Sequence, residues 1–215
     1  SKQADSAVKA VRQTVGETVK YKGKIATTYY YSTSSGRTTT TAAWGSTSSA
    51  ATGYLKSVRV SGKNGDYEKN LPWYRWTVDV TAARLSTILY KNTGKDVGSI
   101  RKIYISKRGP GKVALELKVK GDKGNLTVKT ENKIRSALAG DYDIRKQDGS
   151  KVKFRTLLPS AFITIAKKKS QIHIRGGGFG HGIGMSQTGA NEMAKQGKTY
   201  KEILKLFYSG ITVEN

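Results

Sequence analysis

No cysteine occurs anywhere in this chain, so neither a disulfide nor a thiolate metal site can be built from it. That absence suits an exported bacterial protein as well as a cytosolic one. With only two histidines, a His-based metal site would need carboxylates that the sequence does not cluster, and no metal or other cofactor is expected. No apolar run approaches the roughly 20 residues that a membrane-spanning helix needs. No leader pattern is visible at Ser1, and a leader already removed would leave none. Acid is scarce too: 15 Asp plus Glu stand against 39 Lys plus Arg, a formal charge of +24. Such an excess attracts polyanions over long range and makes their binding depend steeply on salt. Anionic wall polymers, nucleic acid and acidic lipid head groups all answer that description, so charge alone names no partner.

What is present has the pattern of a folded chain. Hydrophobic residues make up 36% of 215 positions, a low share, yet they are arranged in strand-like runs and not as in disordered sequence. Residues 3–13 can form a short helix, or a turn leading into the next strand. Thr18–Tyr21 and Lys24–Tyr31, separated by a Lys-Gly pair, predict a hairpin. Trp76–Val80 predicts a strand that runs into a helix ending near Tyr90. Further strands are expected over Ile100–Ser106, Ala114–Val119, Asn125–Thr130 and Lys151–Arg155, with a short helix over Ile134–Leu138. Strands outnumber helices without a βαβ rhythm or an internal repeat. The expected class is α+β: β-rich, mostly antiparallel, with a few short helices. One domain over residues 1–215 is expected, divisible into a core lobe (1–70 with 156–215) and an inserted β-rich lobe (71–155). The Ser/Thr/Gly-rich stretch around Trp44, residues 32–53, is either a solvent loop or a substrate-contacting one.

The most informative segment runs from Gly176 to Ala190, with glycine at 176, 177, 178, 180, 182, 184 and 189 around His181, Ser186 and Gln187. Ordering that many glycines in one turn is entropically costly and implies positive φ or close backbone approach. The alternation of Ile172 and Ile174 predicts a strand just before it. Ser186 is placed to cap a helix over Gln187–Lys195 stopped by Gly197, and Thr199 with Glu202 predicts a capping box on a second helix that ends at Gly210. The segment is therefore a shaped loop leading to a helix N-terminus. No Gly-x-Gly-x-x-Gly spacing fits it. Gly197-Lys198-Thr199 fails as a P-loop, because Glu192 stands where the first glycine belongs.

Gly-x-Gly-x-Gly-His-Gly-x-Gly-Met-Ser-Gln over residues 176–187 resembles the C-terminal signature of the stage II sporulation protein D family, which includes the amidase enhancers of bacterial cell walls. Ala7–Gly16 with Tyr21-Lys22-Gly23-Lys24, Tyr30–Thr38, Gly53–Val58 and Leu158–Phe162 resemble further family segments in the same order. The resemblance spans nearly the whole chain. It implies an envelope or extracellular protein acting on peptidoglycan glycan strands, with anionic wall polymers, a wall amidase or a further polypeptide as partners. It implies a glycan groove lined by Tyr31, Ser34, Ser35 and Gly36 on one side and His181, Ser186 and Gln187 on the other. Relatives that cut glycan are lytic transglycosylases whose acid/base glutamate lies on a helix upstream of the Ala-Val segment. Ser1 precedes that segment by six residues, so the resemblance places the catalytic glutamate outside this chain. Where some relatives carry Cys and His near the serine loop, Ser34 and Ser35 stand here.

The residues themselves lead to the same point. Lytic cleavage needs one carboxyl group that protonates the leaving oxygen and then assists attack by the sugar's own hydroxyl. Glu17, Glu68, Glu131 and Glu192 lie in polar or Lys-rich sequence, Glu202 is committed to a cap, and Glu116 faces away from Leu115 and Leu117. For Ser186, with His181 the only nearby base, no third orienting carboxylate can be named from the sequence, which disfavours a serine hydrolase. His181, flanked by glycines, suits substrate contact, loop positioning or a purely structural hydrogen bond, while His173, on the polar face of a strand, is structural or solvated. A non-catalytic wall-binding or amidase-enhancing module is the alternative. A nucleic-acid binder is favoured by charge alone; no recognition helix or RNA-binding signature supports it, and no nucleic acid is expected.

Overall fold

The computed structural model describes residues 2–46 and 49–215. Helix α1 covers Lys2–Gln13 and is exposed along its described side chains. Strand β1 (Thr18–Tyr21) turns at Lys22-Gly23 into β2 (Lys24–Ile25), which ends far sooner than the predicted hairpin. The cause lies further along. β3 (Tyr30–Tyr31) leaves the hairpin to pair in parallel with a strand near the C-terminus, and the Tyr29 carbonyl accepts from Met185 N at 3.0 Å.

A single 3-10 turn at Thr41–Trp44 is capped by Thr40 and closed by Gly45 at φ 83°. The short hairpin of β4 (Ser61–Gly62) and β5 (Gly65–Asp66) comes next and delivers Glu68 just beyond it. β6 (Trp76–Thr81) alternates inward and outward, then runs into α2 (Ala82–Thr93), whose N-cap Thr81 accepts from Arg84 N. β7 (Ile100–Arg108), β8 (Ala114–Gly121) and β9 (Asn125–Lys129) form an antiparallel meander followed by α3 (Glu131–Ala137). β10 (Ile144–Lys146) and β11 (Lys151–Val152) complete the middle of the chain. β12 (Ile163–Lys168) and β13 (Gln171–Gly176) are a long hairpin. β14 (Met185–Ser186), α4 (Gln187–Lys195), α5 (Tyr200–Phe207) and β15 (Thr212–Glu214) close the chain.

The α+β, mostly antiparallel class holds. A five-stranded sheet has the order β11-β10-β6-β13-β12, so segments 71–155 and 156–215 contribute strands to one sheet. Its inner face supplies Trp76, Val78, Val80, Ile163, Ile172 and Ile174, packed with Leu85 and Leu89 of α2 and Ile134 of α3. Burying such side chains is the main stabilising term, about 1.5–3 kcal/mol for each large one. β15 pairs with β1 at Val19↔Val213, tying the two ends of the chain together. The capping box forms as the sequence implied: Thr199 accepts from Glu202 N, and Glu202 accepts from Thr199 N.

Candidate functional site

The glycine loop and the serine loop meet. β3 and β14 pair at Met185↔Tyr30 and Ser186↔Tyr31, and isolated bridges join Thr33 to Phe179 and Thr39 to Ile183. Backbone bonds fasten the glycine loop on several sides: Gly177 N to Phe162 O, Gly178 N to Trp73 O, and Gly180 N to Pro159 O at 2.8 Å. A loop anchored this way is rigid despite its composition. Gly184 shows why glycine is needed. It lies at φ 77°, and a Cβ there would collide with the Tyr29 carbonyl that Met185 N bonds.

At the centre of the junction is Glu68, with a relative exposure of 0%. Its carboxylate accepts from Ser34 N at 2.9 Å, Ser186 Oγ at 2.6 Å and Thr188 Oγ1 at 2.6 Å, and also from Ser34 Oγ. No cation forms an ion pair with it among the described residues. A buried carboxylate is costly unless its lone pairs are satisfied, and here hydroxyls and an amide take that role in place of a salt bridge. The polar surroundings inferred for Glu68 from its sequence neighbours are therefore corrected. The β4–β5 hairpin carries it under both loops, where it joins its own segment to Ser34 on one side and Ser186 with Thr188 on the other. Gly189, one turn into α4, gives it room, since a Cβ there would lie 3.1 Å from Glu68 Oε2. Glu131 is buried as well, held by Arg135 Nη1 at 3.2 Å. That burial too is a correction.

The solvent-loop alternative for residues 32–53 fails over its first part, because Thr33, Ser34, Thr38, Thr39 and Thr41 are buried. Thr47 and Ser48 lie outside the described residues.

The expected groove residues divide into two sets. Tyr31, Ser34, Gly36 and Ser186 are buried and act from beneath the surface. Ser186 caps α4 by accepting from Gly189 N, and its hydroxyl donates to Glu68. The Tyr31 hydroxyl has no hydrogen-bond partner among the described residues, and burial raises its pKa well above the ordinary range. Ser35 and His181 are half-buried, and Gln187 is exposed.

His181 is committed to backbone. Its Nδ1 accepts from Ile183 N at 3.1 Å, which leaves Nε2–H to donate to Tyr30 O at 3.1 Å. Desolvation lowers its pKa, with the Tyr30 bond opposing. The ring is therefore a neutral positioning group and no free base. Beside it, Trp44 lies 5.2 Å from His181 and 5.0 Å from Tyr29, ring centre to ring centre. Tyr30 is 60% exposed and Tyr29 is exposed as well, so aromatic surface borders the rigid rim. His173 bonds Asp79 Oδ1 across two strands, away from these loops.

A family model described as Domain of unknown function (DUF8618) matches residues 46–184. The chain is similar to the amidase enhancer of Bacillus subtilis, 30% identical over 95% of this chain and 32% of that protein. It is similar to stage II sporulation protein D of the same organism, 31% identical over 95% of this chain and 50% of that protein. An uncharacterized protein of Brachyspira hyodysenteriae is 29% identical over 97% of this chain and 48% of its own length. The chain thus spans between about a third and a half of these relatives. No helix among the described residues is long and apolar enough to cross a membrane.

Proposed function

This chain belongs to the DUF8618 domain family and to the stage II sporulation protein D and amidase-enhancer family, and we propose that it binds peptidoglycan glycan strands. The setting proposed with it is the bacterial cell envelope. What carries the proposal is the aromatic shelf formed by exposed Tyr29 and Tyr30 with half-buried Trp44, beside the rigid His181 rim. Sugar rings offer C–H faces that pack on aromatic rings, while their hydroxyl and acetamido groups seek hydrogen bonds. Ser35 and Gln187 are the polar groups proposed to supply such bonds, with Gln187 on the first turn of α4. Tyr31, Ser34, Gly36 and Ser186 hold the shelf in place from below.

Strand cleavage by the lytic transglycosylase route belongs to this proposal at the level of the whole protein. It calls for a carboxyl group that can reach a glycosidic oxygen. Glu68 cannot reach one, because it is buried and both oxygens are engaged within the fold. That commitment favours a second version of the proposal, in which the domain binds strands and enhances a partner amidase without cutting.

Pelleting with purified peptidoglycan tests both versions. Tyr30→Ala with Gln187→Ala should weaken retention about tenfold, equivalent to roughly 1.4 kcal/mol, without shifting the unfolding midpoint. Retention unchanged in that variant would sink the shelf as a glycan site. Release of anhydro-sugar ends separates cleavage from binding.

A further inference from the structure

On the other side of the same two loops lies a cleft of about 930 Å³. Its walls include Arg37, Arg59, Arg75, Arg108, Arg175 and Lys112. The chain has 11 arginines and 28 lysines, so five of the former and one of the latter meet here. A merely solvated basic surface on this protein would be mostly lysine. The arginines arrive from five separate segments: the serine loop, the strand-like run before β4, the entry to β6, the end of β7 and the end of β13.

Two of them are held in place. Arg75 stacks on Tyr74 at 3.8 Å and donates to Ser35 O at 3.1 Å, while Arg108 donates to Lys112 O and Ile163 O. The five take part in none of the ion pairs formed among the described residues. Asp66 is the single acid in the lining, and the Tyr74 hydroxyl donates to it at 2.5 Å.

We propose that this arginine cleft is a binding site for the phosphodiester groups of a linear anionic polymer of the wall type, poly(glycerol phosphate) in its simplest form. Like charges gathered without counter-charge cost folding energy through mutual repulsion, and a bound polyanion relieves that cost. Guanidinium forks approaching from several directions suit a tetrahedral phosphate, whereas one fork already saturates a planar carboxylate. A repeating polymer answers a cleft with several forks better than a single small anion. Nucleic acid fits less well: bases need stacking platforms, and Phe162 is the single aromatic side chain in the lining. The site borders the glycan shelf at Ser35 but is otherwise separate from it, since His181, Tyr30 and Gln187 are not part of it.

The experiment measures binding of fluorescent poly(glycerol phosphate) by anisotropy between about 50 and 200 mM salt, where phosphate contacts register as a steep slope. Arg59→Gln with Arg175→Gln should weaken binding about tenfold or more and flatten the salt dependence. Both side chains are exposed. The control removes more charge elsewhere: Lys167→Gln, Lys168→Gln and Lys169→Gln together should change binding less than about twofold. Equal losses in the two variants would overturn the cleft in favour of diffuse attraction. Tighter binding of poly-glutamate or of single-stranded DNA through the same arginines would overturn the phosphodiester polymer as its occupant. Peptidoglycan pelleting of the arginine variant at high salt should stay at the wild-type level, so failure here and failure of the glycan shelf read out separately.

Discussion

Ser34 and Arg37 are three residues apart on one loop, yet they serve opposite electrostatic environments. Toward the interior, the loop wraps a carboxylate that is fully buried and faces no cation. Toward the cleft, it supplies one of the five arginines that face one acid. The first environment is dry, and hydroxyl and amide donors satisfy its charge. The second is wet, and its charge stays available. A formal charge of +24 describes neither of them. The difference teaches that a basic chain can spend its few acids on architecture and keep its cations for the surface: Glu68 and Glu131 are buried in the fold.

The comparison breaks most sharply at Glu68. Glu68→Ala would take from Ser34 N, Ser186 Oγ and Thr188 Oγ1 their shortest acceptor, leaving them the longer contacts to Ser186 Oγ and Ser32 O, and would open a cavity between three segments. The expected loss is about 3–5 kcal/mol of folding stability, measured by urea unfolding. Glu68→Gln keeps the volume but turns an amide NH₂ toward a hydroxyl or amide donor, so it should fall between wild type and alanine. A loss below about 1 kcal/mol in Glu68→Ala would mean that the loops are held by their backbone bonds alone.

A smaller effect is expected at Gly184, where the difference between the junction and an open turn can be isolated. Gly184→Ala adds a collision with the Tyr29 carbonyl to the strain of a positive φ. Gly149 has a similar φ of 83° but nothing near its Cβ position. Alanine should cost about 1 kcal/mol at 149, the strain by itself, and about 2–4 kcal/mol at 184. Equal costs at the two positions would show that the glycine loop yields easily and that its rigidity has been overstated.

Much of the fold was legible in residue patterns. Alternation marked β6 and β13, Ser186 and Thr199 marked two helix starts, and the glycine run marked a shaped loop. The hairpin expectation overextends β2 because Ile25 to Tyr31 is rich in the β-branched and aromatic residues of strands, while Tyr30 and Tyr31 pair with Met185 and Ser186 far along the chain. β12 was missed because Lys167-Lys168-Lys169 disguised the outward face of Ile163–Lys168 as a turn. At the site, local chemistry marks the glycine loop and the family resemblance marks the serine loop, but neither marks Glu68. Nothing near Gly65-Asp66-Tyr67-Glu68-Lys69 signals burial, since its hydrogen-bond donors come from Ser34, Ser186 and Thr188. The arginine cleft was hidden for the same reason: its five guanidinium groups are dispersed from 37 to 175, and a composition total cannot show that they converge.

The mildest test concerns His181, where the two environments nearly touch through the glycine loop. Burial lowers its pKa from the ordinary value of 6.5, and its Nδ1 must stay unprotonated to accept from Ile183 N. Between the depressed folded value and 6.5 the unfolded chain binds a proton that the folded chain refuses. Stability from this group is therefore fully present above about pH 6.5 and declines as pH falls below it. Carboxylates with lowered values, such as Glu202 at about 2, lose their contribution only below the ordinary 4.5. The interval between about pH 6.5 and 4.5 thus reports mainly on histidine. His181→Gln can still accept from Ile183 N and donate to Tyr30 O without titrating, and His173 is common to both proteins. The unfolding midpoint of wild type should fall relative to His181→Gln across that interval and run parallel to it above pH 7. Parallel curves throughout would mean that the imidazole swings out on protonation without loosening the rim, leaving Glu68 and the backbone bonds to hold it.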